Sequence, residues 1–162
     1  MLRKEGLLLA IAVTVMSMSV EKADAQSELV KLVTERQGLM FDMQTAYWAL
    51  FEVNAGKSTD LVKAVEGAET INEAIEMFVD LLPAGTAQGE VPGSRAKPDI
   101  WTQPGEFNDA VQALMDANTS IIESARSGNL DEFKQRFDAV ARACVACHEF
   151  RPSQGGKFRY PR

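Results

Sequence analysis

The stretch 28–55 reads ELVKLVTERQGLMFDMQTAYWALFEVNA, and it decides the fold class. Its apolar residues recur every three or four positions, the spacing of a helix with one buried face, and almost no strand-like alternation is visible. Ser27 is suited to cap this helix and Gly56 to end it. The stretch therefore predicts a first helix whose inward stripe comprises Leu29, Val33, Arg36, Met40, Met43, Tyr47 and Leu50.

Three further stretches repeat the helical pattern and predict helices over 60–82, 105–127 and 130–150. Their inward residues comprise Leu61, Val65, Ala68, Ile75, Phe78 and Leu82, then Phe107, Val111, Leu114, Ile121 and Ala125, and finally Leu130, Phe133, Phe137, Val140, Cys144 and Cys147. The intervening segment 83–104 contains four prolines and is predicted to be a long loop. Two short connections and one long one predict an all-α antiparallel four-helix bundle, with the long loop between helices 2 and 3.

Composition and charge narrow the function classes. The 162 residues are 46% hydrophobic and 25% charged, which is typical of one folded domain rather than a disordered or membranous chain. The net charge of −6 argues against nucleic-acid binding, because neutralising phosphates requires a basic surface.

The N-terminus carries the pattern of an export signal. A positively charged start is followed by an apolar stretch over 7–20 and a small-x-small cleavage pattern at 23–25. The apolar stretch is shorter than the roughly 20 residues that a membrane-spanning helix needs. We therefore expect 1–25 to be a signal peptide and 26–162 to be the mature domain, located in the bacterial periplasm without membrane insertion. An uncleaved N-terminal anchor is the alternative.

The run Cys144-Val145-Ala146-Cys147-His148 carries the chemistry. Covalent attachment of a c-type heme requires two thiols spaced to reach the vinyl groups of one porphyrin, followed directly by an imidazole that ligates the iron. On a helix these three side chains share one face, which continues the apolar stripe into the bundle. The run predicts one covalently bound heme c, held by Cys144 and Cys147, with His148 as an iron ligand.

Three other uses of these cysteines fit the sequence less well. A disulfide suits an exported protein but leaves His148 unexplained. A redox-active C-x-x-C is expected at the start of a helix in a fold with strands, whereas this pair lies near the end of the last helix. A structural zinc site normally uses four ligands, and the chain has only two Cys and one His.

A C-x-x-C-H motif near the C-terminus of an all-helical exported chain resembles the cytochrome c′ family, the class II c-type cytochromes. The resemblance spans the whole mature chain, and it includes the Lys-Pro-Asp-Ile-Trp run at 97–101 and the Arg-Gln pair that begins at Arg36. One departure is that a single residue separates His148 from the following Phe-Arg pair, where the family has two or three. The resemblance implies a four-helix bundle with one heme c.

The residue on the other side of the iron decides the function. His148 is the sole histidine, which excludes a bis-histidine site and leaves methionine as the soft ligand. In the resembled family the residue four after the first-helix Arg faces this side of the heme. It is commonly Leu in the gas-binding members and Met in the low-spin cytochrome c-556 branch. Here it is Met40, so the resemblance implies that Met40 and His148 both ligate the iron; core packing is the alternative for Met40, and Met43 is the fallback ligand.

A Met/His pair favours electron transport over gas binding. It keeps the iron six-coordinate in both oxidation states, so little rearrangement accompanies electron transfer. An open sixth position would instead favour binding of nitric oxide or carbon monoxide, which is the alternative function. An enzyme such as a peroxidase would need a distal acid–base group, and no second His supplies one. We therefore expect a periplasmic one-electron carrier with redox partner proteins, and no enzymatic activity.

Arg36 and Trp101 are further candidate heme contacts. A guanidinium on an apolar stripe is costly to bury without a counter-charge, so Arg36 is expected to meet an anion. A heme propionate is the candidate, in keeping with the resembled family; an Arg that extends off the edge of the stripe into solvent is the alternative. Trp101 in the long loop is expected either to cover the heme edge or to anchor the loop.

Two surface features suggest partners. Phe41 and Trp48 form a second apolar side of the first helix, which predicts a homodimer through helices 1 and 2, as is common in the resembled family, or coverage by the long loop. The C-terminal tail carries basic residues around Phe158 and Tyr160, which suggests docking of an acidic redox partner. A solvated, mobile tail is the alternative. The basic residues are Arg151, Lys157, Arg159 and Arg162.

Overall fold

The computed structural model describes residues 3–148 and 155–161, with side chains described from Asp24 onward. Within these residues there is no strand, and β-type pairing is confined to an isolated bridge between Ala96 and Arg159. No helix of the described segments combines the length and apolarity needed to cross a bilayer. The helices are α1 (Arg3–Asn54), α2 (Leu61–Asp80), α3 (Asp99–Thr102), α4 (Pro104–Arg126) and α5 (Leu130–Cys147). The predicted four-helix bundle is confirmed, with α3 as a short additional helix inside the predicted loop.

Side-chain caps and glycines set most helix ends. The Asp60 carboxylate accepts the backbone N–H of Lys63 at 3.0 Å and caps α2, and Asn129 caps α5 in the same way. Gly56 and Gly128 follow the ends of α1 and α4 with φ of 69° and 73°, a region that residues with a Cβ rarely adopt. The two short turns therefore end where the sequence predicts.

Two predicted helix ends are wrong. Ser27 is not a cap, because α1 continues unbroken from Arg3 and no proline interrupts it. The last helix ends at Cys147 rather than at residue 150, since His148 has an extended backbone with φ −157° and ψ 150°. The backbone N–H of Phe158 donates to the Cys147 carbonyl at 3.0 Å, so a remote segment satisfies the end of the helix. His148 therefore leaves the helical face predicted for it.

The four long helices surround one apolar core as antiparallel neighbours. The indole N–H of Trp101 donates to the Leu82 carbonyl at 3.0 Å, so the long loop returns and α4 starts near the point where α2 ends. α1 packs closely on α2, because Gly67 leaves room for the facing backbone: a Cβ there would lie 2.7 Å from the Ala46 carbonyl oxygen. The core contains Leu50, Val53, Ala68, Ile71, Ile121, Phe133 and Val140.

The bundle has two different ends, which we name for what joins the helices there. The turn end holds the short connections 55–60 and 127–129. The loop end holds the long connection 81–103, the end of α5 and the part of α1 around Arg36. All six site residues predicted from the sequence lie toward the loop end.

Candidate heme site

The end of α5 presents two thiols and an imidazole. Cys144 and Cys147 lie one turn apart, both half-buried, and they are not joined in a disulfide. Burial raises the pKa of each thiol to about 11, and for Cys144 the charge of Cys147 adds to the effect. A reactive redox cysteine needs a lowered pKa, so this environment argues against the redox C-x-x-C alternative. The half-buried His148 stays beside the helix, its backbone N–H donating to the Cys144 carbonyl at 3.4 Å.

The register of α1 against α5 follows from one aromatic contact. The rings of Tyr47 and Phe137 lie 5.3 Å apart between their centroids. From this pair, two helical turns toward the loop end lead to Met40 on α1 and to Cys144 on α5. Antiparallel helices rise equally, about 10 Å over two turns, so Met40 lies level with Cys144. Both are half-buried and pack against the same core cluster.

Electrostatics agree with this register. The pKa of Tyr47 is raised to about 12, first by burial and then by the charges of Cys144 and Asp138. The phenol and the first thiol therefore share one interior region between α1 and α5. These two helices are also the least closely packed of the four neighbouring pairs, which leaves this side of the bundle suited to a planar group.

Arg36 is a buried cation with neutral partners. It is only 5% exposed, so the alternative of a guanidinium that extends into solvent is wrong. Its Nη1 donates to Thr86 Oγ1 and its Nη2 to the Thr86 carbonyl, both at 3.1 Å, and Nη2 also reaches Ser94 Oγ at 3.5 Å. Burial lowers the pKa of the guanidinium, and among the described residues no carboxylate pairs with it. A buried cation held only by dipoles fits an adjacent anionic group.

Trp101 anchors the loop and lies in a second apolar cluster. Its indole N–H is used by the Leu82 carbonyl, which agrees with the expected anchoring role. Its half-buried ring packs with the buried Ile100, Phe107 and Phe158, and Cys147 packs against the same cluster. Trp101 is therefore close to the attachment helix even though its polar atom serves the loop.

Thr86 and Ser94, which organise this end, were missed from the sequence, and so was the burial of Phe158. Thr86 and Ser94 are fully or almost fully buried, yet small hydroxyl residues in a Gly- and Pro-rich loop usually indicate an exposed turn. Phe158 is 4% exposed, so the alternative of a solvated, mobile tail is wrong for 155–161. The available signal was that Phe158 is a large aromatic side chain among basic residues, which is unusual for a solvated tail. The predicted basic residues Arg151 and Arg162 lie outside the described residues.

An all-helical bundle with a C-x-x-C-H motif at the end of its last helix defines a protein of the c-type heme class. The family model described as Cytochrome C′ matches residues 31–151, and the chain belongs to this family. It accordingly carries one covalently attached heme c.

Relatives and solved structures agree with this assignment. The cytochrome c′ of Alcaligenes xylosoxydans xylosoxydans is 31% identical over 98 residues, which are 58% of this chain and 77% of the relative. The cytochrome c-554 of Cereibacter sphaeroides is 26% identical over 144 residues, 87% of this chain and 92% of the relative. The cytochrome c′ structure from Rubrivivax gelatinosus has a TM-score of 0.68 at 20% identity, covering 82% of this chain and 97% of its own.

The residues at the loop end fit a heme c on the chemistry of the donor set. Two neutral thiols lie one turn apart, and the sole imidazole follows directly. A buried guanidinium without a carboxylate partner among the described residues suits an acidic substituent of the ring. The loosely packed side between α1 and α5 adjoins Cys144, which packs on the same core cluster as Met40.

Proposed function

We propose that Cys144 and Cys147 hold the heme through two thioether bonds and that His148 ligates its iron. Each thiol adds its S and H across one vinyl group, so no electron is lost or gained in attachment. Support comes from the spacing of the thiols, one turn apart on α5, and from their half-buried setting without a disulfide. Arg36 then binds a heme propionate, which gives its buried charge the anion that the described residues do not supply.

We further propose that Met40 is the second iron ligand and that the protein carries single electrons. The observation that carries this proposal is the register of Met40 with Cys144, which puts a half-buried thioether on α1 across from the attachment helix. When bound, the heme supplies a one-electron iron couple, and a Met/His pair raises its potential. Met40 is then held within α1 and His148 directly follows the last residue of α5, so few groups move when the charge changes.

Binding of nitric oxide or carbon monoxide at a five-coordinate iron is the second candidate, and the comparisons favour it more directly. The relative at 31% identity is named cytochrome c′, and a cytochrome c′ from Alcaligenes xylosoxidans with bound nitric oxide shares this fold at a TM-score of 0.64 and 24% identity. In this candidate Met40 stays in core packing and leaves the sixth position open. The side chain at position 40 therefore separates the two functions.

The ferric optical and electron spin resonance spectra test the choice. The native protein is expected to be low-spin with a thioether signature, and Met40→Leu is expected to become high-spin, because Leu keeps the volume but removes the sulfur. Met43→Leu, one turn away on the same stripe, is the matched control and should leave the native spectrum intact. A high-spin native protein would favour the gas-binding candidate. An unchanged spectrum in Met40→Leu would show that another residue is the second ligand.

The N-terminal segment 1–25 has the pattern of an export signal. We propose that residues 1–25 are removed during export and that 26–162 works in the periplasm with redox partner proteins, without catalytic activity. The export pattern and the oxidising compartment in which c-type attachment takes place support this. N-terminal sequencing of the secreted protein should begin at Gln26.

A homodimer through α1 and α2 is supported by apolar exposure. Phe41 and Trp48, two turns apart on α1, are 67% and 53% exposed, and the long loop does not cover them. On α2, Val62 and Met77 are also exposed. Native mass measurement at micromolar concentration should give a dimer, and Phe41→Glu combined with Trp48→Glu should give a monomer with the heme spectrum retained. A native protein that is monomeric in the same measurement would contradict the dimer.

A further inference from the structure

The C-terminal segment 155–161, which we call the strap, is joined to the loop end by backbone hydrogen bonds. The N–H of Phe158 donates to the Cys147 carbonyl at 3.0 Å, and the carbonyl of Phe158 accepts the N–H of Lys97 at 2.9 Å. The N–H of Tyr160 donates to the Arg95 carbonyl at 2.9 Å. One residue of the strap thus bridges the last carbonyl of the attachment helix and the loop segment that leads into α3.

Side chains reinforce this backbone pairing. The Phe158 ring meets the Phe107 ring edge-on at 5.3 Å, inside the cluster against which Cys147 packs. The Lys97 ammonium donates to the Gly156 carbonyl at 2.6 Å. Lys157 pairs with Glu106 in the first turn of α4. The strap therefore contacts the loop, α4 and α5 at once.

A tight turn gives the strap its shape. Gly155 has φ of +74°, and a Cβ at this position would lie 2.9 Å from both Pro161 Cδ and Pro161 N. Any side chain at 155 would meet both a backbone conformation that L residues rarely adopt and a clash with the end of the strap. The turn thus depends on glycine for a reason separate from the Phe158 cluster.

We propose that the strap is a positioning element of the heme site and that Phe158 is its positioning residue. The N–H of Phe158 bonds the Cys147 carbonyl, and Cys147 also packs against the cluster that contains the Phe158 ring. His148 is the next residue, and its own N–H donates to the Cys144 carbonyl. The ring of Phe158 also excludes water from the cluster beside the attachment helix. The proposal rests on the attachment of heme at Cys144 and Cys147, and it assigns to the tail a role in setting the potential of the iron.

The expected effect follows from solvent access. Water near a heme raises the local dielectric constant and so stabilises the more highly charged ferric form. An apolar shell that excludes water therefore raises the reduction potential. In the holoprotein, Phe158→Ala should accelerate hydrogen exchange of the residue 158 amide at least tenfold. It should also lower the equilibrium constant for reduction about tenfold, which is a shift of about 59 mV for one electron. Phe158→Leu, which keeps an apolar side chain, should recover most of both quantities.

Two further variants separate positioning from mere stability. Ile121→Ala removes a buried side chain at the turn end and should destabilise the holoprotein. Its equilibrium constant for reduction should stay within twofold of the native value. Gly155→Ala keeps the Phe158 ring but disturbs the turn of the strap, so it should loosen the docking of Phe158 and lower the potential as Phe158→Ala does. It also carries the test if Phe158→Ala does not fold.

The outcomes are distinguishable. A coloured protein whose potential is unchanged in the folded strap variants, although the residue 158 amide exchanges faster, would overturn the positioning role and leave the strap as a simple helix cap. An equal shift of potential in Ile121→Ala would overturn it as well. A purified protein without covalent pigment would overturn the proposed attachment and this proposal together.

Discussion

The turn end and the loop end of the bundle are stabilised by different interactions. At the turn end, Leu50, Val53 and Phe133 are fully or nearly fully buried, and helices that are adjacent in sequence cover them. At the loop end, Arg36 is buried against loop oxygens, and the strap closes over Cys147 from the far end of the chain. Apolar burial therefore supplies the stability of one end, while directional polar contacts position the groups of the other.

The difference between the two ends explains why the candidate heme site lies at the loop end. An apolar core of regular helices is tolerant of exchange between similar side chains but offers no fixed polar group. A buried hydrogen-bonded cation costs stability and defines one geometry. The loop end combines these polar contacts with a smaller apolar cluster around Phe107 and Phe158, and the main core stabilises the bundle as a whole.

The largest expected effect is at the turn end. Phe133→Ala should lower the free energy of unfolding by about 3–5 kcal/mol, because a fully buried ring is replaced by a cavity. The heme spectrum of the protein that remains folded should be native, since Phe133 is remote from Cys144. Denaturant titration followed by absorbance checks both; a loss below about 1 kcal/mol would contradict the assignment of stability to this end.

Gly67→Ala should destabilise the bundle by about 1–3 kcal/mol, because the new Cβ would be forced against the Ala46 carbonyl, and backbone atoms do not give way cheaply. Gly38→Ala is the matched control. Beyond the backbone of its own helix, no atom lies within 4 Å of the Cβ position, so the substitution should raise the free energy of unfolding by up to about 1 kcal/mol through helix propensity. Thermal unfolding of both variants measures the difference. Equal midpoints would show that α1 and α2 are less close than described.

Thr86→Val tests the polar character of the loop end. The substitution keeps the shape but removes the hydroxyl that accepts from Arg36 and donates to the Pro83 carbonyl at 2.8 Å. We expect a loss of about 1 kcal/mol, since the guanidinium keeps its other acceptors. Thr34→Val removes an exposed hydroxyl that donates to the Val30 carbonyl within the same helix, and it should be close to neutral. A loss in Thr34→Val as large as in Thr86→Val would remove the distinction.

The smallest effects should come from exposed ion pairs at either end. Arg126→Gln breaks the pair with Glu69 near the turn end, and Lys157→Gln breaks the pair with Glu106 at the strap. All four side chains are well exposed, so each substitution should cost less than about 1 kcal/mol. Urea unfolding measures this. A large loss for Lys157→Gln alone would show that charge, rather than Phe158, holds the strap.

The turn end was predictable from the sequence because its contacts are periodic. Helical spacing placed Leu50, Ile121 and Phe133 inward, and all three are buried. Gly56, predicted to end the first helix, follows it with a positive φ. Motif spacing likewise indicated heme c, which family membership confirms.

The loop end was predicted only in part, because its contacts join residues distant in sequence. The burial of Arg36 was expected, but its neutral partners Thr86 and Ser94 carry no local signal. The extended His148 follows a helix end whose last carbonyl accepts from Phe158, a residue in the tail whose docking no periodicity reveals. The roles of Met40 and Trp101 toward the heme stay predictions.

The sequence separation of these contacts has a kinetic consequence. Arg36 meets a residue 50 positions away, and Lys97 meets Gly156 across 59 positions. The turn end also includes a distant pair, Arg126 with Glu69 across 57 positions, but its two chain reversals are local. Bringing distant segments together costs more chain entropy and is slower. We therefore expect the loop end to assemble after the turn end. The loosely packed side between α1 and α5 then stays accessible while the loop end is still open, so a rigid planar ring can enter there.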